Sequence, residues 1–269
     1  MIEVIRSIFL GIVQGLTEFL PVSSSAHLNI MPWLFKWDNM SESFDLALHI
    51  GTLLSILVYF FKDWISLICG GYKTLVKKEK TQDGKIFWYI IAATIPAGVL
   101  GFIMESIIEK VTGENLNIQM MIISIALIVM GIILYIVDSR AKSTVTYENI
   151  DFKKGFIIGV SQALAAAVPG VSRSGITMTV SRSFGLDRES AARYSFLLSA
   201  PMIAGAALVS ITSFEFNLAF FIGIISSFIS GLLVIKFLMG YLKRGSYKIF
   251  AVYRLLLGIV IFVIAVTRL

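Results

Sequence analysis

Residues 1–31 read MIEVIRSIFLGIVQGLTEFLPVSSSAHLNIM and residues 152–185 read FKKGFIIGVSQALAAAVPGVSRSGITMTVSRSFG. Each stretch is apolar over most of its length yet broken at its centre by a polar cluster, SSSAH after Pro21 and PGVSRSG around Pro169. Simple membrane spans do not carry such interruptions, so each predicts two half-helices meeting at a polar turn, a re-entrant or broken membrane segment. Laid over each other, Gly11, Gln14, Leu16, Pro21 and Ser24 recur as Gly159, Gln162, Leu164, Pro169 and Ser172 at one constant offset. Three apolar stretches of spanning length follow each copy, at about 44–61, 86–104 and 118–137, then 194–213, 217–239 and 249–267. Pro96 and Pro201 fall inside two of these and predict kinks rather than ends.

The composition agrees with a membrane chain. Of 269 residues 57% are hydrophobic and 15% charged, with mean hydropathy +0.86, too apolar for a water-soluble domain. The expected fold is therefore an all-α polytopic membrane protein. It has six transmembrane helices plus two re-entrant broken-helix segments, arranged as an inverted-topology repeat of about 1–148 and 149–269 within one membrane domain. The single Cys69 excludes an intrachain disulfide and has no metal-ligand spacing around it. The N-terminal stretch lacks the basic start and small-residue site of a cleavable signal, since Glu3 precedes any basic run. A net charge of +6 in such a chain points to cytoplasmic loops and anionic lipid, with no nucleic-acid partner.

Loop charges set the expected orientation. Lys62, Lys73, Lys77, Lys78, Lys80 and Lys85 mark 62–85 as cytoplasmic, whereas Glu105, Glu109 and Glu114 against Lys110 mark 105–117 as external. Arg140, Lys142, Lys153 and Lys154 return 138–154 to the cytoplasm, 214–216 holds only Glu215, and Lys243, Arg244 and Lys248 place 240–248 inside. Counting back, the first broken segment enters and leaves from the external face and the second from the cytoplasmic face, with both termini external. Segments 64–76 and 183–193 are expected to be short interfacial helices.

The broken segments carry the candidate chemistry. Gln14 and Glu18 lie four apart and share one helix face before Pro21, an amide and a carboxylate on an apolar rod. Ser23, Ser24 and Ser25 suit the start of a second half-helix, whose free N–H groups and positive dipole end favour an anion, and His27 lies three residues beyond Ser24. The other copy repeats the turn with Gly170, Ser172 and Ser174 and adds Arg173, whose planar fork suits phosphate oxygens, with Thr177 three residues past Ser174. Meeting at mid-membrane, the two would form a phosphate pocket. Glu18 beside phosphate requires protonation or a shared divalent cation, so Mg²⁺ or Ca²⁺ on Glu18 and the phosphates, with Gln14 a further oxygen ligand, is an expectation; no organic cofactor is. His27 would serve as base or as nucleophile. Asp45 and His49 share a face and either border the pocket or sit in the core, while Lys236 and Arg254 read as snorkelling residues near cytoplasmic ends.

GIVQGLTEFLPVSSSAHL at 11–28, PGVSRSGITMT at 169–179 and SAARYSFLLSAP at 190–201 resemble the motifs of the bacterial undecaprenyl-diphosphate phosphatase family, the bacitracin-resistance type. The resemblance covers essentially the whole chain. It implies hydrolysis of undecaprenyl diphosphate to undecaprenyl phosphate and inorganic phosphate, recycling the lipid carrier of cell-wall synthesis, in the bacterial cytoplasmic membrane with the site open to the external side. It further implies catalytic roles for Glu18, Ser24, His27 and Arg173. Gln14, Ser23, Ser25, Gly170, Ser172, Ser174 and Thr177 are then the substrate-binding set. The family writes Glu or Gln at the position of Gln14, and this chain has the Gln form. Ser24, His27 or a water remains open as the nucleophile, and a homodimer is left open. A secondary transporter shares the half-helix design but needs no nucleophile or base; Ser24, His27 and Glu18 together favour chemistry.

Overall fold

The computed structural model describes residues 2–38, 41–112 and 115–268, and the side chains of all of these except 105, 106, 108–112 and 213. Its described residues are mostly helical, with no strand among them beyond one isolated bridge between Val145 and Leu186. Among the described residues six helices are long and apolar enough to cross a membrane: α3 (Glu42–Tyr59), α5 (Gln82–Thr112), α6 (Leu116–Arg140), α10 (Arg188–Val209), α11 (Leu218–Leu242) and α12 (Lys248–Thr267). Both broken segments are helical on either side of a turn. The first is α1 (Ile2–Phe19) and α2 (Ser24–Phe35); the second is α7 (Phe152–Val160), the short α8 (Ala163–Ala167) and α9 (Arg173–Ser183). Between α3 and α5 lies α4 (Phe61–Tyr72), the short helix expected at 64–76, continued by a wide turn to Lys77.

Two boundaries differ from expectation. α5 runs on to Thr112, so most of 105–117 is helix rather than loop; a charge at a helix end does not stop a helix, and no Gly or Pro intervenes before 113. The side chains of Glu105, Glu109 and Lys110, and the whole of Glu114, lie outside the described residues. Residues 183–193 form no separate helix. α9 ends at Ser183, a turn follows, and Asp187 caps α10 by accepting from the Ser190 amide at 2.8 Å.

Packing brings the broken segments inward. α1 lies along α11, α7 and α8 lie along α5, and α6 pairs with α12. Small residues allow the close approach: a Cβ on Gly15 would sit 2.0 Å from Ser230 Oγ and 2.6 Å from the Gly231 nitrogen. The Ser230 hydroxyl in turn donates to the Gly11 carbonyl at 3.2 Å. On the opposite face of α11, Ile225, Ile229, Leu233 and Phe237 project outward at one-turn spacing, an apolar stripe suited to lipid.

At the end of the molecule that carries the 138–154 and 240–248 loops, Asp138 fastens four helices. Its carboxylate accepts from Arg182 Nε at 2.9 Å, from Arg188 Nε at 2.8 Å and from the Tyr247 amide at 3.1 Å, joining α6, α9, α10 and α12. Arg182 is 1% exposed, so its charge depends on that carboxylate and on the carbonyls of Leu186 and Ala141. Removing one partner of a buried pair strands the other, at a cost of about 3–5 kcal/mol. Asp138→Asn is therefore expected to lower the thermal unfolding temperature in detergent sharply, and the double variant with Arg182→Met to recover part of the loss; an unchanged transition in Asp138→Asn would refute the lock.

Candidate active site

The two chain breaks share one local geometry. Ser23 and Ser172 both hold positive φ, 77° and 73°, a conformation unfavourable for a side-chain-bearing residue and stable only where the surroundings impose it. Each caps the half-helix that follows: the Ser23 hydroxyl accepts from the Ala26 amide at 3.3 Å and the Ser172 hydroxyl from the Gly175 amide at 3.0 Å. Each lies near the second serine beyond it, Ser25 at 3.2 Å and Ser174 at 3.3 Å. Ser172 thus matches Ser23, not Ser24 as the constant offset of the sequence predicts. The second break is one residue longer, because Gly170, at φ 99°, is inserted after its proline. Ser24 and Arg173 are consequently the equivalent residues, each the first of its half-helix.

Both point to Glu18, which is 6% exposed at the end of α1. Arg173 Nη2 donates to Glu18 Oε1 at 2.7 Å and the Ser24 hydroxyl donates to Oε2 at 2.7 Å. Gln14 Nε2, one turn earlier, donates to Oε2 at 3.2 Å and lies 3.1 Å from His49 Nδ1. Glu18, Ser24, Ser25, His49, Gln162, Ser172 and Arg173 line one cavity of about 360 Å³, flanked on its apolar side by Leu46, Ala165, Ala166, Met202, Ile203, Ala206 and Ala207. Two half-helix N-termini, an arginine, a carboxylate and a hydroxyl therefore open on a common space beside an apolar wall. Such a site suits an anionic headgroup on a hydrophobic tail.

The sequence matches the family model of bacitracin resistance protein BacA over residues 7–260. The chain belongs to the BacA family. It is 49% identical over 262 residues to the undecaprenyl-diphosphatase of Caldicellulosiruptor bescii, covering 95% of each chain. Similar proteins of the same printed name occur in Desulforudis audaxviator, at 46% over 266 residues and 98% of each chain, and in Moorella thermoacetica, at 44% over 261 residues and 96% of each.

Within this BacA-family chain the remaining candidates divide into those at the cavity and those behind it. Thr177 is fully buried, 2.6 Å from the Ser195 hydroxyl and bonded to the Arg173 carbonyl at 2.8 Å, while Arg173 Nη1 reaches the Ser195 carbonyl at 3.4 Å. Thr177 and Ser195 thereby hold the start of α9 from behind. Ser174 donates to the Leu20 carbonyl at 3.1 Å, tying one break to the other. Ser23 is 1% exposed and occupied by capping, and Gly170 faces α6, where a Cβ would meet the Ile123 carbonyl at 2.7 Å.

The structure does not bring His27 to Glu18. Its Nδ1 lies 2.7 Å from the Ser23 carbonyl, which only accepts, so Nδ1 carries the proton and Nε2 accepts from the Tyr253 hydroxyl at 2.7 Å. The two rings stack, 6° apart in plane, on the α12 side of the break. The imidazole at the cavity is instead that of His49, whose Nε2 has no protein partner among the described residues. The shared helical face of Asp45 and His49, which the sequence allows either to border the pocket or to sit in the core, is the sequence signal for it. Asp45 itself lines a different cavity, beside Trp33 and Trp37.

Arg254 is a correction of a different kind. Rather than snorkelling it is fully buried, and its guanidinium donates to the carbonyls of Pro21 at 3.1 Å, Gly170 at 2.7 Å, Val171 at 3.0 Å and Leu127 at 3.4 Å. One side chain therefore satisfies backbone groups of both breaks. Lys236 is exposed, as a snorkelling residue would be.

The donor set does not make a protein-held metal site. Both Glu18 oxygens are engaged by Arg173, Ser24 and Gln14, and the position one turn before it is an amide rather than a second carboxylate. No group of three or more His, Cys, Asp and Glu among the described residues is arranged to hold a metal ion.

Loss of a neutral hydrogen bond to a buried acceptor costs about 1–3 kcal/mol. Tyr253→Phe is thus expected to lower the unfolding temperature while leaving phosphate turnover within a few-fold of wild type. A folded Tyr253→Phe protein that lost turnover a hundredfold would bring His27 into the chemistry.

Proposed function

We propose that this chain hydrolyses undecaprenyl diphosphate to undecaprenyl phosphate and inorganic phosphate, returning the lipid carrier to peptidoglycan synthesis and thereby supporting cell shape and bacitracin resistance. The convergence of Glu18, Ser24 and Arg173 from two broken helices on one cavity carries this reading. The names of the relatives and the family support it.

At rest Arg173 is paired with Glu18. An entering diphosphate offers Arg173 and the two half-helix N-termini a better anionic partner, which frees Glu18 to take a proton. Ser24, already donating to Glu18, is the favoured nucleophile. Its Oγ attacks the terminal phosphorus, its proton passes to Glu18, and the bond to the bridging oxygen breaks to release undecaprenyl phosphate. Water then cleaves the phosphoserine, yielding inorganic phosphate. His49, whose Nε2 has no protein partner among the described residues, is placed to exchange protons with the leaving group or the water. The engagement of both His27 nitrogens favours Ser24 over His27.

We read the chain as one membrane domain of two inverted halves, about 1–148 and 149–269, in the bacterial cytoplasmic membrane. The paired caps at Ser23 and Ser172 support this, as does the reciprocal packing of α1 on α11 and of α7 and α8 on α5. With the basic loops read as cytoplasmic and both termini as external, His49 in the first half of α3 and Met202 to Ala207 near the end of α10 support a cavity that opens to the external side.

In detergent the wild type is expected to release phosphate from undecaprenyl diphosphate. Ser24→Ala should lose about 10²–10³-fold or more in turnover while remaining folded, and Arg173→Ala should lose as much while unfolding at a lower temperature, because it strands the buried Glu18 carboxylate. Acid quenching should trap phosphate on Ser24. No release, with lipid-phosphate binding that still needs Arg173, would replace the phosphatase by a carrier.

A divalent cation is proposed to arrive on the diphosphate, not to be stored in the protein, because the resting donor set offers one already-paired carboxylate. Calorimetry of the substrate-free protein with Mg²⁺ should give no saturable binding even where a chelator suppresses turnover. Tight binding to the substrate-free wild type would reverse this.

A further inference from the structure

Beside the cavity three amide atoms are buried with no hydrogen-bond partner among the described residues: Oε1 of Gln14 and both Oε1 and Nε2 of Gln162. Gln162 is 2% exposed and lines the cavity from the turn between α7 and α8. Its sequence position explains why it is unpaired. Gln14 has Glu18 one turn ahead and donates to it; at the same spacing Gln162 has Ala166, whose methyl accepts nothing. Burying both ends of an amide without partners is costly, and buried polar groups are nearly always paired. A methionine of similar length would fill the same space at no such cost. The amide therefore has a use only if its partner enters from outside, and the wall it occupies is otherwise apolar, with Ala165 and Ala166 beside it.

We propose that Gln162 is a substrate-contacting residue, its Nε2 donating to a phosphoryl oxygen of the diphosphate and its Oε1 accepting from a water held against the same group. This rests on the reading of the cavity as the diphosphate site. A neutral donor suits that wall. It adds a hydrogen bond to an anion without another cation, where Arg173 already supplies the charge, and it marks the place where the polar headgroup gives way to the apolar flank.

The test uses the full chain in detergent as wild type, Gln162→Met and Gln162→Glu. Thermal unfolding is measured with and without inorganic pyrophosphate, alongside phosphate release from undecaprenyl diphosphate. Gln162→Met is expected to unfold at or above the wild-type temperature, because two unpaired groups are gone. Its KM should nevertheless rise about ten- to a hundredfold, the worth of a hydrogen bond to a charged group, and pyrophosphate should stabilise it correspondingly less. Gln162→Glu sets like charge against the phosphate and should bind pyrophosphate more weakly still. A more stable Gln162→Met with wild-type KM and wild-type pyrophosphate response overturns the proposal. If Gln162→Met does not fold, a wild-type KM and pyrophosphate response in Gln162→Glu overturns it, and so does failure of both variants to fold. Absence of phosphate release by the wild type would defeat the phosphatase reading but not this contact, which the pyrophosphate shift reads directly.

Discussion

A helix interrupted inside an apolar body exposes backbone carbonyls and amides that lipid cannot satisfy. In this chain two such interruptions lie side by side, and the Arg254 guanidinium satisfies carbonyls from both, those of Pro21, Gly170 and Val171. The amides on the other side of each break are met by the serines at positive φ, Ser23 and Ser172. Only with these demands met from behind are the half-helix starts left to face a common cavity. Ser174, bonded to the Leu20 carbonyl, closes the contact between the breaks and fixes their separation. The Glu18–Arg173 pair, which joins residues 155 apart in sequence, follows from that arrangement.

The spans were legible because apolar length is a property of each stretch taken alone. The same is true of the two breaks, whose proline and serines announce themselves locally. What escaped depends on phase or on distant backbone. Gly170 shifts the second break by one residue in a region with no periodicity to reveal it, so Ser24 was matched with Ser172 when its structural counterpart is Arg173. Arg254 in an apolar helix reads as a snorkelling cation unless its partners are known, and these are carbonyls, which every residue carries alike. His27 and His49 differ by helix phase: the first folds back onto the Ser23 carbonyl and Tyr253, whereas the second turns toward Gln14 and Glu18. Asp138 fell at the start of the predicted 138–154 loop and Arg182 near the end of the second broken segment, and spacing alone did not join them.

The two halves of the site resemble each other in their caps and differ in their charges, and the difference has a physical logic. Where the first segment carries Gln14 and Glu18, the second carries Gln162 and Ala166. A carboxylate at both places would set two negative charges against the same anionic ligand, each raising the cost of ionising the other. Where the second segment begins its half-helix with Arg173, the first begins with Ser24, which adds a hydroxyl rather than a second cation. One carboxylate, one arginine and one hydroxyl are thus distributed over equivalent scaffolds so that no function is duplicated.

That distribution also governs how tightly the site holds anions. Glu18 and Arg173 neutralise each other at rest, so a ligand that engages Arg173 must first compete with an intramolecular carboxylate held at 2.7 Å. On the proposed chemistry a diphosphate has several charged oxygens with which to win that competition, and it would reach both half-helix N-termini at once. A monophosphate presents fewer and loses part of that advantage, while Glu18 stands ready to reclaim Arg173. On the proposed chemistry the ion pair is therefore more than a resting contact. By returning to its closed form as the anhydride bond is lost, it weakens the hold on both products relative to the substrate, which favours their release from a cavity otherwise built to attract phosphate.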